Sequence, residues 1–140
     1  MERVARGFSL FMNWFNGIAA PVCGLWMMAS ICPFMPLNWG GFMPLSVFDG
    51  FPFHEVFFTS FFWPGLALML VNGVPNIVSL VLRVRGDVRG SYVWSIAAGV
   101  LLVAWTGVEM VFIPNGASVF YMALGVLQVA AGVVAHRSAA

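Results

Sequence analysis

Residues 61–82 read FFWPGLALMLVNGVPNIVSLVL, from Phe61 to Leu82. The stretch is apolar and starts on aromatic residues. Arg83 and Arg85 follow directly. Wound as an α-helix it rises about 33 Å, enough to cross a hydrocarbon core of about 30 Å. Its centre is interrupted by Asn72, Gly73, Pro75 and Asn76. Pro75 has no N–H and pushes its ring toward the carbonyl of Val71, so a kink is expected there, eased by Gly73.

Working outward, the whole chain has the same character. It has 140 residues, 61% hydrophobic and 8% charged, with a mean hydropathy of +0.95. A soluble domain carries about 25% charged residues. So few charges cannot coat a water-facing surface, so lipid is the expected solvent and the bilayer the first partner. The net charge of +1 and the lack of a basic, aromatic-laced patch argue against nucleic acid. Every basic residue is arginine, which excludes lysine Schiff-base chemistry.

Three further spans are expected. Met1–Gly7 is a short charged head, and Phe8 to about Ile31 is an apolar run. Its length and its Asn13 and Asn16 favour a retained helix over a signal peptide, closed by Pro33 and Pro36. The third span runs from about Ser91 to Ile113 and the fourth from about Ala117 to Ala135. Between the last two, Pro114-Asn115-Gly116 is expected to make a tight turn using positive φ at Asn-Gly. The spans are thus about 8–31, 61–82, 91–113 and 117–135. The fold class is all-α, a four-helix transmembrane bundle forming one integral membrane domain, 1–140.

Arginine placement orients it. Arg3, Arg6, Arg83, Arg85, Arg89 and Arg137 all fall on one side of a four-span threading. The positive-inside rule makes that side cytoplasmic. The expected topology is N-in, C-in in the cell (inner) membrane. Residues 33–60 form a long connection between helices 1 and 2. It carries Trp39, Phe42, Phe48, Phe51, Phe53, Phe57 and Phe58, and Asp49, His54 and Glu55 are its only ionisable residues. Such a loop belongs in the membrane interface or over the bundle mouth. His54 to Phe62 is expected to form a short interfacial helix, and Pro64 to sit in the first turn of span two.

Helix association in lipid relies on small residues and hydrogen bonds. Each span shows such a stripe at helical spacing: Ser9, Asn13, Asn16, Ala20 and Gly24; Gly65, Asn72, Asn76 and Ser79, ending at Arg83; Ser91, Ser95, Gly99, Thr106 and Glu109; Tyr121, Gly125, Gln128 and Gly132. Asn72 and Gln128 fall near the midplane, with Asn76 about 6 Å deeper toward the cytoplasm. Asn13, Asn16, Asn72, Asn76 and Gln128 read either as an amide network gluing helices together or as a polar path or pocket. Glu109, the only acidic residue in a span, is a functional candidate by default. The alternative is that it bonds Trp39, Tyr121 or the aromatic loop. Asp49, His54 and Glu55 fall on the same outer side as Glu109, but their spacing matches no metal motif. No metal or cofactor is implied, and His54 and His136 lie on opposite sides, which opposes a haem held between helices. Cys23 and Cys32, nine residues apart on one helix, are separated by about 13 Å and cannot bridge.

Pro64-Gly65-Leu66, Val71-Asn72-Gly73-Val74-Pro75-Asn76, the arginine loop, Trp105, Glu109 and Leu124-Gly125 together resemble a group of small uncharacterised bacterial four-span membrane proteins. The resemblance covers roughly residues 57–135. It implies the architecture and no activity. Small multidrug exporters fit poorly, because they need a glutamate in span one.

Three functions stay open. The first is a non-enzymatic accessory or self-associating subunit, as homo-oligomer or within a larger membrane complex, favoured by the glycine-rich faces. The second is a small transporter or channel using Asn72, Asn76, Gln128 and Glu109. The third is a lipid- or quinone-binding membrane enzyme using His54 and Glu55.

Overall fold

The structure is a computed structural model, and it describes residues 1–32 and 44–139. Pro33 and Pro36, expected to close span one, lie outside the described residues, as do Trp39 and Phe42. Four helices are long and apolar enough to cross a membrane: α1 (Glu2–Ala29), α2 (Phe62–Val84), α3 (Val88–Phe112) and α4 (Gly116–Ser138). Among the described residues there is no strand.

The helices pack in a ring. α1 lies along α2 and α4, α3 lies along the same two, and α1 barely touches α3 across the diagonal. The stripe of α1 turns inward throughout, and each of the other three does so except at one end residue, Arg83, Glu109 or Tyr121. Ser9, Asn13, Asn16, Ala20 and Gly24 of α1 are buried, as are Gly65, Asn72, Asn76 and Ser79 of α2 and Gly125, Gln128 and Gly132 of α4. On α3, Ser91, Ser95, Gly99 and Thr106 are buried and Glu109 is half-buried. Tyr121 departs from the stripe and is exposed.

Glycine sets two of the crossings. A Cβ on Gly24 would stand 2.6 Å from the Gly65 carbonyl oxygen, and one on Gly65 equally close to that of Gly24. Gly99 and Gly125 meet likewise, a Cβ on Gly99 standing 2.9 Å from Gly125 O. The glycines that suggested self-association are therefore used between helices of the same chain.

The ends have local causes. α2 stops in a Schellman turn, with Gly86 at φ +88; Gly86 N donates to Arg83 O and Asp87 N to Leu82 O, satisfying carbonyls left over at the helix end. Asp87 then caps α3 by accepting from Gly90 N at 2.8 Å. The 114–116 connection differs from expectation. Asn115 is extended, at φ −154, and Gly116 begins α4 without positive φ. The reason is that Asn115 Oδ1 accepts from Ser118 N at 2.7 Å. Asparagine here is a helix N-cap instead of the corner of a turn.

α2 is not uniform. Phe62–Leu68 is α-helical, Met69–Gly73 is a π-turn, and Val74–Val84 is α-helical again. Val74 N–H reaches back five residues to Met69 O. Proline-induced irregularity is expected here, and it takes the form of a π-turn preceding Pro75. The N-terminal part, Phe62–Leu68, packs chiefly on α1, whereas the C-terminal part, Val74–Val84, packs on α1 and α3 together. The far ends of α2 and α3 therefore diverge.

The connection into α2 covers that end. Leu45–Gly50 forms a short 3-10 helix and His54–Phe57 a single α-turn, so the expected His54–Phe62 helix is shorter and breaks before α2. Phe48, Phe51 and Phe61 are buried against Met27. Phe48 stacks on Phe58 with ring centroids 4.8 Å apart, and Phe51 packs on Phe112 at 5.4 Å.

Candidate functional site

Where α2 and α3 diverge, the bundle holds a cavity of about 510 Å³. α1 supplies Phe15, Asn16, Ala19, Ala20, Cys23 and Met27, recurring at helical intervals on one face. α2 supplies Pro64, Leu68 and Asn72 at steps of four. Leu102, Trp105, Thr106 and Glu109 come from α3, Ser118 and Tyr121 from α4, and Val47 and Phe48 from the 3-10 helix. Asn72 lies eight residues, about 12 Å along the helix, inward of Pro64.

Asn16 and Asn72 form the inner end. They are 2% and 7% exposed. Asn72 Nδ2 reaches Asn16 Oδ1 only at 3.5 Å. Asn16 Nδ2 and Asn72 Oδ1 have no hydrogen-bond partner among the described residues. One donor and one acceptor are thus left over side by side, each expensive to bury unmet.

Beyond them toward the arginine end lies a tight network. Gln128 Nε2 donates to Asn76 Oδ1 at 2.9 Å, with longer contacts to Asn13 Oδ1 and Ser95 Oγ. Asn13 Nδ2 donates to Ser79 Oγ at 2.7 Å, and Ser79 Oγ donates to the Ser91 carbonyl at 2.7 Å. Asn76 Nδ2 donates back to Asn72 O at 2.7 Å, and Ser9 and Ser95 share a bond at 2.8 Å. Seven of these side chains (Ser9, Asn13, Asn76, Ser79, Ser91, Ser95 and Gln128) are fully buried. Arg83 ends the chain, its Nε donating to Ser91 Oγ at 3.3 Å and its guanidinium lying over the Tyr92 ring.

Glu109 sits in the cavity wall with both oxygens engaged. Trp105 Nε1 donates to Oε1 at 2.7 Å and Ser118 Oγ to Oε2 at 2.6 Å. These partners replace the expected Tyr121, and Trp39 lies outside the described residues. No cationic side chain lines the cavity among the described residues.

Asp49, His54 and Glu55 line a different, shallower groove of about 550 Å³, with Phe51 and Phe112. His54 Nδ1 faces the Phe51 carbonyl at 3.0 Å, so Nδ1 carries the proton. Glu109 is not part of this groove. Among the described residues, no three His, Cys, Asp or Glu side chains converge as a metal site. Cys23 and Cys32 are free thiols.

The sequence candidates are therefore divided. Asn16, Asn72 and Glu109 line the cavity; Asn13, Asn76 and Gln128 belong to the network that closes it; Asp49, His54 and Glu55 lie apart. Sequence reasoning missed Pro21, which packs against Gly73, and Ser118, which completes the wall. Pro21 carried a legible signal, a second mid-span proline at the depth of Pro75. Ser118 carried a weaker one, three residues after an asparagine cap. No protein-family model, curated protein or solved structure matches this chain.

Proposed function

We propose that this chain is a multi-pass protein of the cell membrane, with both termini and the 85–87 connection in the cytoplasm, and that its bundle is a non-catalytic binding module for a small apolar ligand. The topology rests on the arginines: Arg3 and Arg6, Arg83, Arg85 and Arg89, and Arg137 gather at one end of the ring, where Arg6 Nη2 also donates to the Ser138 carbonyl at 3.1 Å. The function rests on one observation. A cavity of about 510 Å³, aromatic and aliphatic in its walls, ends on unmet amide groups and is closed below them by a hydrogen-bonded network. A concave, mostly apolar pocket with a few convergent polar groups is the usual form of a small-molecule site. A closed inner end suits holding better than conduction.

The test is purification of the full chain in mild detergent, with solvent extraction and mass spectrometry. The wild-type protein is expected to carry a stoichiometric apolar molecule, and Ala19→Phe, which fills the cavity from its wall, to lack it at unchanged monodispersity. Equal ligand content in both proteins, or none in either, sinks the reading. For topology, reporters fused after Gly86 and after Asn115 are expected to report cytoplasm and exterior respectively.

One observation favours a second reading, a small transporter. The π-turn of α2 lies against Pro21 of α1, and a locally altered helix at mid-span is a feature of transporters built on interrupted helices. An impermeant thiol reagent supplied from the cytoplasmic side labels Asn76→Cys if the network opens during turnover, and leaves it unlabelled in a static binder.

A further inference from the structure

The inner end of the cavity is selective in a way the walls are not. Asn16 Nδ2 is a donor and Asn72 Oδ1 an acceptor, both at least nine-tenths buried and both without partners among the described residues. Around them the surface is Ala20, Leu68 and Leu102, and the Thr106 hydroxyl is already committed to the Leu102 carbonyl at 2.7 Å. Resting on the binding reading above, we propose that the site takes an uncharged apolar molecule bearing a hydroxyl group, seated head-down on Asn16 and Asn72.

The chemistry narrows the class by elimination. A hydroxyl oxygen accepts from Asn16 Nδ2 while its proton is donated to Asn72 Oδ1, so one atom meets both groups. A carbonyl or ether would meet the donor alone. An ammonium would meet the acceptor alone and leave its charge at the amide floor, apart from Glu109, whose two oxygens are already taken by Trp105 and Ser118. A carboxylate or phosphate would meet the donor alone, bring a charge with no cationic side chain in the lining among the described residues, and share the cavity with the Glu109 carboxyl. Burying an unpaired charge costs far more than burying an unmet amide. The walls above the floor favour a hydrocarbon body.

A matched series tests this on the wild-type protein. Radiolabelled dodecan-1-ol, dodecanoate, dodecylammonium and dodecane share a chain and differ in the head. Each is titrated against the full chain in nanodiscs, with empty nanodiscs subtracted. The expected result is saturable binding of one dodecan-1-ol per chain, at least tenfold tighter than the other three. Asn16→Leu and Asn72→Leu are each expected to weaken the alcohol about threefold or more, part of the way to the alkane, since each removes one of two hydrogen bonds. Dodecylammonium or dodecanoate binding tightest, or alcohol and alkane binding equally, overturns the hydroxyl assignment and leaves the binding module standing. Saturable binding of none of the four overturns both. The head-group series decides without any variant, so a misfolded leucine variant does not rescue the proposal.

Discussion

Pro21 of α1 and Gly73 of α2 meet ring against backbone in the middle of the bundle. A Cβ on Gly73 would stand 3.1 Å from Pro21 Cγ and 3.2 Å from Pro21 Cδ. Each proline-bearing helix lacks a backbone donor near this depth, and α2 widens into a π-turn at Met69–Gly73. The irregular part of α2 thus seats against the proline ring of an α1 that stays α-helical throughout. Outward of this contact α2 follows α1 and leaves α3, and that divergence makes room for the cavity.

A side chain at position 73 has to displace a rigid ring. Gly73→Val is expected to destabilise the protein by about 1–3 kcal/mol, as overpacking does, and Gly73→Ala by less. Gly107 on α3 is the control, because a Cβ there meets only Met122 Cε at 3.9 Å. Gly107→Ala is expected to be neutral or to stabilise by up to about 1 kcal/mol through helix propensity. Thermal unfolding of the three variants in one detergent checks the order; Gly73→Val melting level with Gly107→Ala would sink the contact.

Asn13 and Asn16 stand one turn apart on the same face and play opposite parts. Asn13 donates to Ser79 and accepts from Gln128, so Asn13→Leu takes one bond from each of two buried partners that keep others, and is expected to cost about 1 kcal/mol. Asn16 holds one long contact and one unmet donor. Asn16→Leu removes an unmet buried donor together with the long contact of Asn72 Nδ2, and is expected to cost less than Asn13→Leu without ligand. Unfolding titrations in mixed micelles separate the two, and equal losses would argue that both amides are plain glue.

Much of this division was legible in advance and some was not. Hydropathy delimited four helices because length and apolar content are local properties of the chain. The stripes were legible for the same reason: Ser9, Asn13, Asn16, Ala20 and Gly24 share a face by helix geometry alone. The difference between Asn13 and Asn16 was not legible. It depends on how far α2 leans from α3, a long-range outcome of the Gly24–Gly65 crossing and the π-turn. Asn115 shows the opposite failure, in which the right residue was assigned the wrong local chemistry. Asn-Gly serves a turn or a cap, and the Ser118 N–H decides between them.

Glu109 offers a test of how a carboxylate is held in an apolar wall. Its two oxygens accept from Trp105 Nε1 and Ser118 Oγ. Glutamine keeps both contacts, with its oxygen toward the indole, which only donates, and its amide toward the hydroxyl, which can accept. Glu109→Gln is expected to change stability by less than about 0.5 kcal/mol, while Glu109→Leu leaves both donors unmet and costs about 1–3 kcal/mol. Melting curves of both variants check it. A large loss in Glu109→Gln would mean that the charge itself matters, and would point back to a transport path.

Phe48 is where the aromatic connection meets the cavity. It is 7% exposed, stacks on Phe58 with the rings 6° from parallel, and lines the cavity together with Val47. The stack belongs to a short covering segment packed on Met27, Phe61 and Ile113, so its loss should loosen the cover more than the bundle. Cys23, a free thiol in the cavity wall, reports on that opening, and Cys32, which does not line the cavity, is the internal reference. Phe48→Ala is expected to raise Cys23 labelling by an impermeant maleimide severalfold relative to Cys32, with the melting temperature of the bundle little changed. Phe48→Leu, which keeps apolar bulk but not the stack, should fall between the two. If Phe48→Ala instead melts the whole bundle in step with the labelling, the segment is part of the core, and the cavity has no separable cover.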